Sequence, residues 1–158
     1  MKRTIIGVAA VAALGSATYL AMELLTTDRR RVERVVRGLA RRIEARDAAG
    51  FCHLLAEDYR DEIVGNRAAI REYLTAALPF LESVRIELEG IEIAIRDTEA
   101  EATFTASGEA SGRRRPDLPP WRHQSLVRLW LRKRGGEWRV TAAEYRLPPV
   151  ARRGLLIE

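Results

Sequence analysis

The residue types best suited to chemistry in this chain are a histidine and a carboxylate near its C-terminus. Histidine and carboxylate side chains are common acid–base groups in proteins, so His123 and Glu144 form a pair that suits proton transfer. Both fall on one face of a predicted two-stranded hairpin, toward one of its ends. The alternative is structural: a histidine at the rim of a loop and a carboxylate paired with a nearby arginine. The elements that position the two side chains therefore decide between these interpretations.

The hairpin is predicted from the segment WLRKRGGEWRVTAAEY, residues 130–145, in which a Gly-Gly pair separates two strand-like runs. A two- or four-residue connection pairs Leu131 with Val140 and Leu129 with Ala142. A three-residue connection would shift this pairing by one residue and move each side chain to the other face. The first alternative gives an inward face, the core or a pocket wall, of Val127, Leu129, Leu131, Trp138, Val140 and Ala142, continued by His123, Ser125 and Glu144.

Metal and cofactor chemistry has little support in the sequence. Cys52 is the single cysteine and lies in an apolar helical context, which favours a buried structural thiol. The two histidines, His53 and His123, are far apart, and no His, Cys and carboxylate spacing is typical of a metal site. A nucleophile elbow, a phosphate loop and a dinucleotide fingerprint are all missing from the sequence. We therefore expect no cofactor and no metal.

The net charge of +5 is divided into three blocks of opposite sign. Residues 1–46 hold 10 Lys and Arg against 4 Asp and Glu, residues 47–111 hold 5 against 14, and residues 112–158 hold 12 against 4. A basic block can be neutralised by an acidic block within one small domain. The high net charge is therefore weak evidence for a nucleic-acid partner.

The N-terminal segment has the character of a membrane or export segment. A basic tripeptide, MKR, precedes the run from Thr4 to Met22, which is 19 residues long and carries no charge. This length is about that of a membrane-spanning helix, while the basic start and a Gly-Ser-Ala also suit a signal peptide. A core helix is less favoured because the run has no polar face. We expect residues 1–26 to be a single-pass anchor or a signal cleaved on secretion, with a slight preference for an extracytoplasmic domain.

The apolar pattern that follows is helical as far as Pro79. A first helix is predicted to be capped at residue 27 or 28. Asp47 is predicted to cap a short helix that runs through Leu55, and Asn66 a third helix that Pro79 ends. Arginines cover the outer face of the first helix, most simply as a solvated surface.

Beyond Pro79 the apolar residues alternate with polar ones, as in strands. Gly90 interrupts the first run and marks a bulge, a bend or a tight turn. A Pro- and Arg-rich loop at residues 112–120 cannot be part of a strand. The chain is therefore an α+β domain with three helices on one face of an antiparallel sheet. The predicted strands cover residues 84–95, 101–106, 122–134 and 137–146.

This order of elements resembles the nuclear transport factor 2-like superfamily, also called SnoaL-like, over residues 28–147. The resemblance is carried by IEARDAAGFCHLLAEDYRDEIVGNRAAIREYL, where capped helices follow at the family's spacing, and by the closing hairpin. It implies a cone-like fold, three helices on a curved antiparallel sheet, for residues 27–147, with a tail at 148–158. The superfamily mixes enzymes with non-catalytic modules, so the fold alone does not fix the function.

The resemblance implies a pocket between the sheet and the helices. Residues 57–62, EDYRDE, lie where helices meet the sheet in this family, so Tyr59 and Asp61 are further candidates for acid–base groups. The structural alternative is a capping cluster at a helix end. The inward-facing residues suggest a mainly aliphatic lining that suits a small apolar ligand or a packed core. The predicted pocket residues are Phe104, Val127, Leu129, Leu131, Trp138 and Val140.

The opposite face of the hairpin combines arginines with aromatic residues. Arg132 and Arg139 are predicted to lie opposite each other, which is unfavourable without nearby anions. Such a composition is typical of a protein interface, and dimerisation through this face is common in the resembled family. Two further hypotheses for this face are an ordinary exposed surface and a nucleic-acid surface. The glutamates available on the preceding strands are Glu87, Glu89, Glu92 and Glu101. The predicted interface residues are Leu126, Arg128, Trp130, Arg132, Arg139 and Tyr145.

The sequence therefore predicts a membrane-tethered or exported, non-catalytic module for binding or assembly. Its pocket would hold a small apolar molecule, and its sheet face would form a homodimer or dock a protein partner. The alternative is a small SnoaL-like enzyme, an isomerase, hydrolase or lyase, that uses His123 with Glu144 or Asp61. Nucleic-acid binding through the arginine-rich strands is the weakest of the three hypotheses.

Overall fold

A computed structural model describes residues 26–112 and 121–145 of the 158-residue chain. The predicted anchor or signal at residues 1–26 lies almost wholly outside these ranges, as do the loop at 113–120 and the tail at 148–158. Among the described residues, no helix combines the length and the apolar character needed to cross a membrane. The fold is α+β, as predicted, with three described helices packed on a curved sheet.

Two of the predicted helix caps are confirmed. The Asp47 carboxylate accepts the backbone N–H of Gly50 at 2.7 Å, and the Asn66 side chain accepts two backbone N–H groups of the first turn that follows it. Both residues satisfy N–H groups that a helix start leaves without partners. Pro79 lies in a 3₁₀ turn that ends the third helix. The helices are α1 (residues 26–44), α2 (Ala48–His53) and α3 (Arg67–Ala77), and the turn is Leu78–Phe80.

Five strands form one mixed sheet in the spatial order β1-β5-β4-β3-β2. The four longest strands pair antiparallel, as predicted, while β1 lies parallel to β5 at the edge. The prediction of a purely antiparallel sheet is therefore wrong for this one strand. The strands are β1 (Leu55–Asp61), β2 (Leu81–Arg96), β3 (Glu99–Gly112), β4 (Trp121–Arg134) and β5 (Glu137–Glu144).

Strand β1 replaces the end of the predicted short helix. Helix α2 ends at His53, and Leu55 begins the strand instead of continuing the helix. The backbone carbonyl of Leu54 accepts the N–H of Val140 at 3.0 Å, so pairing with β5 takes the place of a further helical turn. The buried residues of β1 do not alternate regularly, which is why no strand is predicted there from period alone.

Gly90 marks a bulge within β2, one of the alternatives predicted for it. Glu89 pairs with Thr105 and Glu92 with Thr103, so β2 has one more residue than β3 at this point. Gly90 has a φ of 62°, a left-handed conformation that favours glycine. A bulge of this kind bends a strand and increases its twist, and so helps the sheet to curve around the helices.

A second bulge, in β5, changes the register of the closing hairpin. Leu131 pairs with Val140 as predicted, but Leu129 pairs with Ala143, one residue beyond its predicted partner. Thr141 is the extra residue, and its hydroxyl donates a hydrogen bond to a backbone carbonyl of β4 at 3.2 Å. After Thr141 the faces of β5 are therefore reversed relative to the prediction.

The core lies between the helices and the inward face of the sheet. Val32 and Val36 on α1 are fully buried, whereas Leu39 and Ile43 further along the same helix are only partly buried. Leu39 and Ile43 pack against this core and also border a cavity. The other buried apolar residues are Cys52, Leu55, Ala56, Tyr59, Ile70, Leu74, Leu78, Ala100, Ala102, Phe104, Leu129, Leu131, Trp138 and Val140.

Asp28 connects α1 to the hairpin of β4 and β5 through hydrogen bonds. The predicted cap at residue 27 or 28 is wrong, since both residues already lie within the helix. The Asp28 carboxylate, 13% exposed, instead accepts hydrogen bonds from Lys133 Nζ at 2.7 Å and from the Trp138 indole N–H at 3.2 Å. The hydrogen bond from Lys133, helped by that from Trp138, holds the pKa of Asp28 below its ordinary value.

We predict that Asp28→Ala lowers the free energy of unfolding by about 1.5–3 kcal/mol, because it removes the acceptor of a charged and an indole donor. The pKa of Asp28 is lowered in the folded state. The ionised Asp28 carboxylate therefore stabilises the folded state fully at a pH above its ordinary pKa of 3.8. This stabilisation is lost as the pH falls through the lower pKa of the folded state. Urea unfolding at neutral and at acid pH measures both effects.

The control for this prediction is Glu89→Ala, which removes an exposed carboxylate that forms no ion pair with another described residue. This variant should unfold like the wild type. A loss of stability in Asp28→Ala that stays constant from neutral pH to well below 3.8 would contradict the assignment.

Candidate ligand-binding site

A cavity of about 640 Å³ lies between α1, α3 and the inward face of the sheet. Its walls are mainly aliphatic and aromatic side chains, such as Leu39 from α1, Leu74 from α3 and Phe104 from β3. The volume is within the roughly 300–1,000 Å³ range of small-molecule sites. No Lys or Arg of the described ranges lines it. The cavity therefore suits an apolar molecule, and no lysine or arginine of the described ranges lines it to pair with a carboxylate.

Four of the six predicted pocket residues line this cavity, and two lie elsewhere. Leu131 and Trp138 are packed in the core, where the Trp138 indole is hydrogen bonded to Asp28. The four residues that line the cavity are Phe104, Val127, Leu129 and Val140.

Three tyrosines contribute phenol groups to the cavity wall, which also includes Glu109, Ser111, His123 and Ser125. Tyr59 comes from β1, Tyr73 from α3, and Tyr145 follows β5 directly. The Tyr59 hydroxyl donates a hydrogen bond to Asp61 Oδ2 at 3.0 Å. Within the described ranges, Tyr73 and Tyr145 make no side-chain hydrogen bond, and no polar side-chain atom is both buried and unsatisfied. These two hydroxyls can therefore bond to a ligand.

Asp61 organises the turn that connects β1 to α3. Its Oδ1 accepts the backbone N–H groups of Ile63 at 2.7 Å and Val64 at 2.6 Å, and more weakly that of Gly65 at 3.4 Å. The carboxylate thus caps a turn, as in the structural alternative, although the turn follows a strand and not a helix. Its other oxygen, Oδ2, bonds to Tyr59 in the cavity wall.

The environment keeps the tyrosines neutral. Burial raises the pKa of Tyr59 above its ordinary value, and the negative charge of Asp61 raises it further. Burial likewise raises the pKa of Tyr145, followed by the effects of Asp61 and Tyr73. The same negative charge that opposes a phenolate also opposes an anionic ligand beside these residues.

His123 and Glu144 do not come together. His123 pairs with Gly108 and lines the cavity, whereas Glu144 pairs with Arg128, five residues and about 16 Å further along β4. The bulge at Thr141 turns Glu144 to the outer face, where its carboxylate is 3.5 Å from Arg128. The prediction that Glu144 continues the inward face is wrong, and the alternative, a carboxylate paired with an arginine, is what the structure has.

The same bulge exchanges the faces of the neighbouring residues. Ala142, predicted to point inward, pairs with Trp130 on the outer face. Ala143 and Tyr145 line the cavity, whereas the predicted register would place both of them on the outer face. Tyr145 is therefore absent from the outer face, where it was predicted as an interface residue, and it is a cavity residue that sequence reasoning missed. A threonine is an ordinary strand residue, so no sequence signal marks this bulge.

Arg132 and Arg139 lie opposite each other on the outer face, as predicted. Carboxylates offset the repulsion: Arg132 is 3.6 Å from Asp58 and 3.5 Å from Glu99, and Arg139 is 2.9 Å from Glu137. The anions expected here do surround the pair, but they come from residues other than those predicted.

Arg128 is also compensated on this face. It lies 3.3 Å from Glu101, the one predicted glutamate that pairs with a described arginine, and its guanidinium is 6.0 Å from the centre of the Trp130 ring. Leu126 is 64% exposed beside them. Arginine donors that are bonded to carboxylates are less available to phosphates on this face. Binding of a second copy or a protein partner to this face stays a prediction.

The described residues contain no cluster of side chains that could bind a metal ion. Among them, no three His, Cys, Asp or Glu side chains are placed to share an ion. Cys52 is buried, and burial raises the pKa of its thiol, which disfavours the reactive thiolate.

Solved structures identify the fold, whereas no protein-family model and no curated protein matches the chain. A candidate scytalone dehydratase from Novosphingobium aromaticivorans is similar with a TM-score of 0.73 at 16% identity, covering 79% of this chain and 87% of that one. A candidate dehydratase of the nuclear transport factor 2-like family, from Streptomyces avermitilis, is similar with a TM-score of 0.69 at 13% identity, covering 78% and 99%. This chain has the nuclear transport factor 2-like fold.

A third structure with the nuclear transport factor 2-like fold extends the likeness along the chain. It is a nuclear transport factor 2-like protein with a cystatin-like fold from Novosphingobium aromaticivorans, with a TM-score of 0.67 and 21% identity over 89% of this chain and 97% of that one. Identities this low establish the nuclear transport factor 2-like architecture, with its space between helices and curved sheet, and nothing finer.

We predict that Tyr59 and Tyr145 ionise only when the protein unfolds. In the folded state their pKa values are raised above the ordinary value of 10.0, so the unfolded protein loses these protons first. The free energy of unfolding is therefore unaffected below pH 10.0 and falls as the pH rises above it. An alkaline titration followed by phenolate absorbance and by circular dichroism should show late ionisation that coincides with unfolding. Full phenolate absorbance from a still folded protein would contradict the prediction.

Proposed function

We propose that this protein is a binding module whose cavity takes a small, uncharged and largely apolar molecule. The observation that carries the proposal is the cavity of about 640 Å³, which the helices and the sheet leave open and line with apolar side chains. Burial of apolar surface contributes roughly 25 cal/mol per Å², so walls of this kind can supply most of the affinity.

The tyrosines would give the ligand its orientation. Tyr73 and Tyr145 line the cavity with hydroxyls that no described residue bonds, so they can donate to a carbonyl or hydroxyl oxygen of the ligand. A carboxylate in the same place would meet the charge of Asp61, and no described lysine or arginine lines the cavity to pair with it. Burying an unpaired charge is far more costly than burying a neutral polar group. These features favour a neutral ligand with one or a few oxygen atoms.

The structural neighbours are compatible with this proposal without deciding it. Two of the three described above carry the word dehydratase in their names. These names apply to those two proteins. For this chain they support only the idea that the nuclear transport factor 2-like fold can hold a small molecule between its helices and sheet. The apolar walls and neutral phenols of this chain carry the argument.

We predict that 2-naphthol and naphthalene bind to the protein and that 2-naphthoate does not. Tyr145→Phe removes one hydroxyl and no apolar contact. It should weaken 2-naphthol binding about three- to tenfold, the effect of one neutral hydrogen bond, and leave naphthalene binding unchanged. Equilibrium dialysis of the three probes against wild type and variant measures this. Binding of 2-naphthoate as tight as that of 2-naphthol would contradict a site for neutral molecules.

A pair of variants tests whether the probes occupy the cavity. Ala106→Phe places a ring in the cavity wall, whereas Ala142→Phe places the same ring on the outer face of the sheet. With both variants folded by circular dichroism, binding of both probes should be lost in the first and retained in the second. Equal binding to both variants would place the site elsewhere.

The second candidate function is acid–base catalysis by Tyr59 and Asp61, and not by His123 and Glu144. The 3.0 Å hydrogen bond between the Tyr59 hydroxyl and Asp61 Oδ2 in the cavity wall is the observation that favours it. Mass spectrometry of a metabolite extract, incubated with wild type or Tyr59→Phe, tests the idea. Catalysis predicts a compound consumed by the wild type alone, and identical extracts would reject it.

A further inference from the structure

Helix α1 carries a stripe of arginines on the face opposite its buried side. Arg30, Arg34, Arg37 and Arg41 follow each other at intervals of four, three and four residues, which places them on one face of the helix. All four are exposed, while Val36 on the other side is buried in the core. The stripe is about 17 Å long, from eleven residues at 1.5 Å each.

Most of this charge is uncompensated within the described ranges. Arg37 lies 2.8 Å from Glu33, but Arg30, Arg34 and Arg41 have no carboxylate partner there. The Arg41 side chain contacts only a backbone carbonyl, at 3.4 Å. The arginines of β4 and β5 differ, since each of them has a carboxylate within 4 Å. The stripe therefore presents guanidinium groups that remain available to an external anion.

The stripe follows closely on the uncharged run of the sequence. Arg30 comes eight residues after Met22, the end of the run that begins at Thr4. For comparison, eight residues of an ideal α-helix rise about 12 Å, close to the Debye length of about 8–10 Å at physiological salt. With that run in a bilayer, the first arginines would reach the field of the headgroups, and the whole stripe would reach it only if α1 lay along the surface.

We propose that the arginine stripe of α1 binds anionic lipid headgroups and lays α1 along the membrane surface. The planar guanidinium bonds to phosphate with two parallel donors, and this stripe contains arginine without lysine. Basic residues near an anionic membrane surface each contribute about 1 kcal/mol of attraction. Nucleic acid and acidic proteins carry the same charge complement, but the nearby uncharged run favours the membrane.

This placement would also bring the cavity to the membrane. Leu39 and Ile43 lie on the same helix and line the cavity from its other side. A ligand that is neutral and largely apolar concentrates in lipid, so docking of α1 would place the cavity wall next to that source.

The experiment uses the full chain in vesicles, with Ala45→Cys carrying a fluorophore. Ala45 is exposed directly after α1, and the natural cysteine, Cys52, is buried. Headgroup-attached spin labels then report whether the end of α1 lies at the surface. We expect stronger quenching in vesicles of phosphatidylglycerol with phosphatidylcholine than in phosphatidylcholine alone, and weaker quenching at high salt.

Two charge-matched variants separate the stripe from net charge. Arg34→Gln with Arg41→Gln should lower the ratio of docked to undocked α1 by roughly tenfold to thirtyfold, from about 1 kcal/mol per arginine. Arg85→Gln with Arg96→Gln removes the same charge from exposed positions of β2 and should leave the ratio unchanged.

Four results would overturn the proposal. One is equal quenching in anionic and neutral vesicles, because it would show that anionic headgroups do not bring α1 to the membrane surface. Another is an equal loss in both pairs of variants, since that would reflect net charge alone. The third is a full chain that associates with neither kind of vesicle. The fourth is binding to a DNA duplex that the stripe variants abolish without any preference for anionic lipid, which would assign the stripe to nucleic acid.

Discussion

The extra residue at Thr141 decides which side chains of the last strand reach the cavity. Up to Val140 the strand alternates regularly between core and solvent, and after the bulge the alternation is reversed. Glu144 is thereby placed outside, beside Arg128, and the phenol of Tyr145 enters the wall instead. A carboxylate in that apolar wall would have to be desolvated at a cost of several kcal/mol, so one inserted residue decides whether β5 contributes a carboxylate or a phenol to the wall.

Local signals made much of the fold predictable. Asp47 and Asn66 cap helices through their own neighbouring backbone, and the alternation in β2 to β5 is visible in any short window. Strand β1 was not predicted from the sequence. It pairs with β5, about eighty positions away, and its buried residues do not alternate with exposed ones. The position of Tyr145 in the cavity wall was not predicted either, because no sequence signal indicates a bulge at a threonine.

The apolar cavity leaves part of the interior less densely packed than the core around it. Interiors are usually packed to the density of organic crystals, and side chains that border empty space lose dispersion contacts on one side. In this protein α1 supplies both kinds of surface: Val32 is packed in the core, Leu39 and Ile43 line the cavity, and the buried Val36 contributes to both. A ligand that fills the space restores those contacts and stabilises the folded state by binding to it.

Xenon tests most directly whether the cavity is open and apolar, because it occupies dry apolar cavities without needing any hydrogen bond. A crystal of the protein exposed to xenon under pressure would give the answer. We predict xenon density between the helices and the sheet, in contact with Leu74, Phe104 and Val127. A structure in which side chains fill that space, with no xenon bound there, would contradict the account.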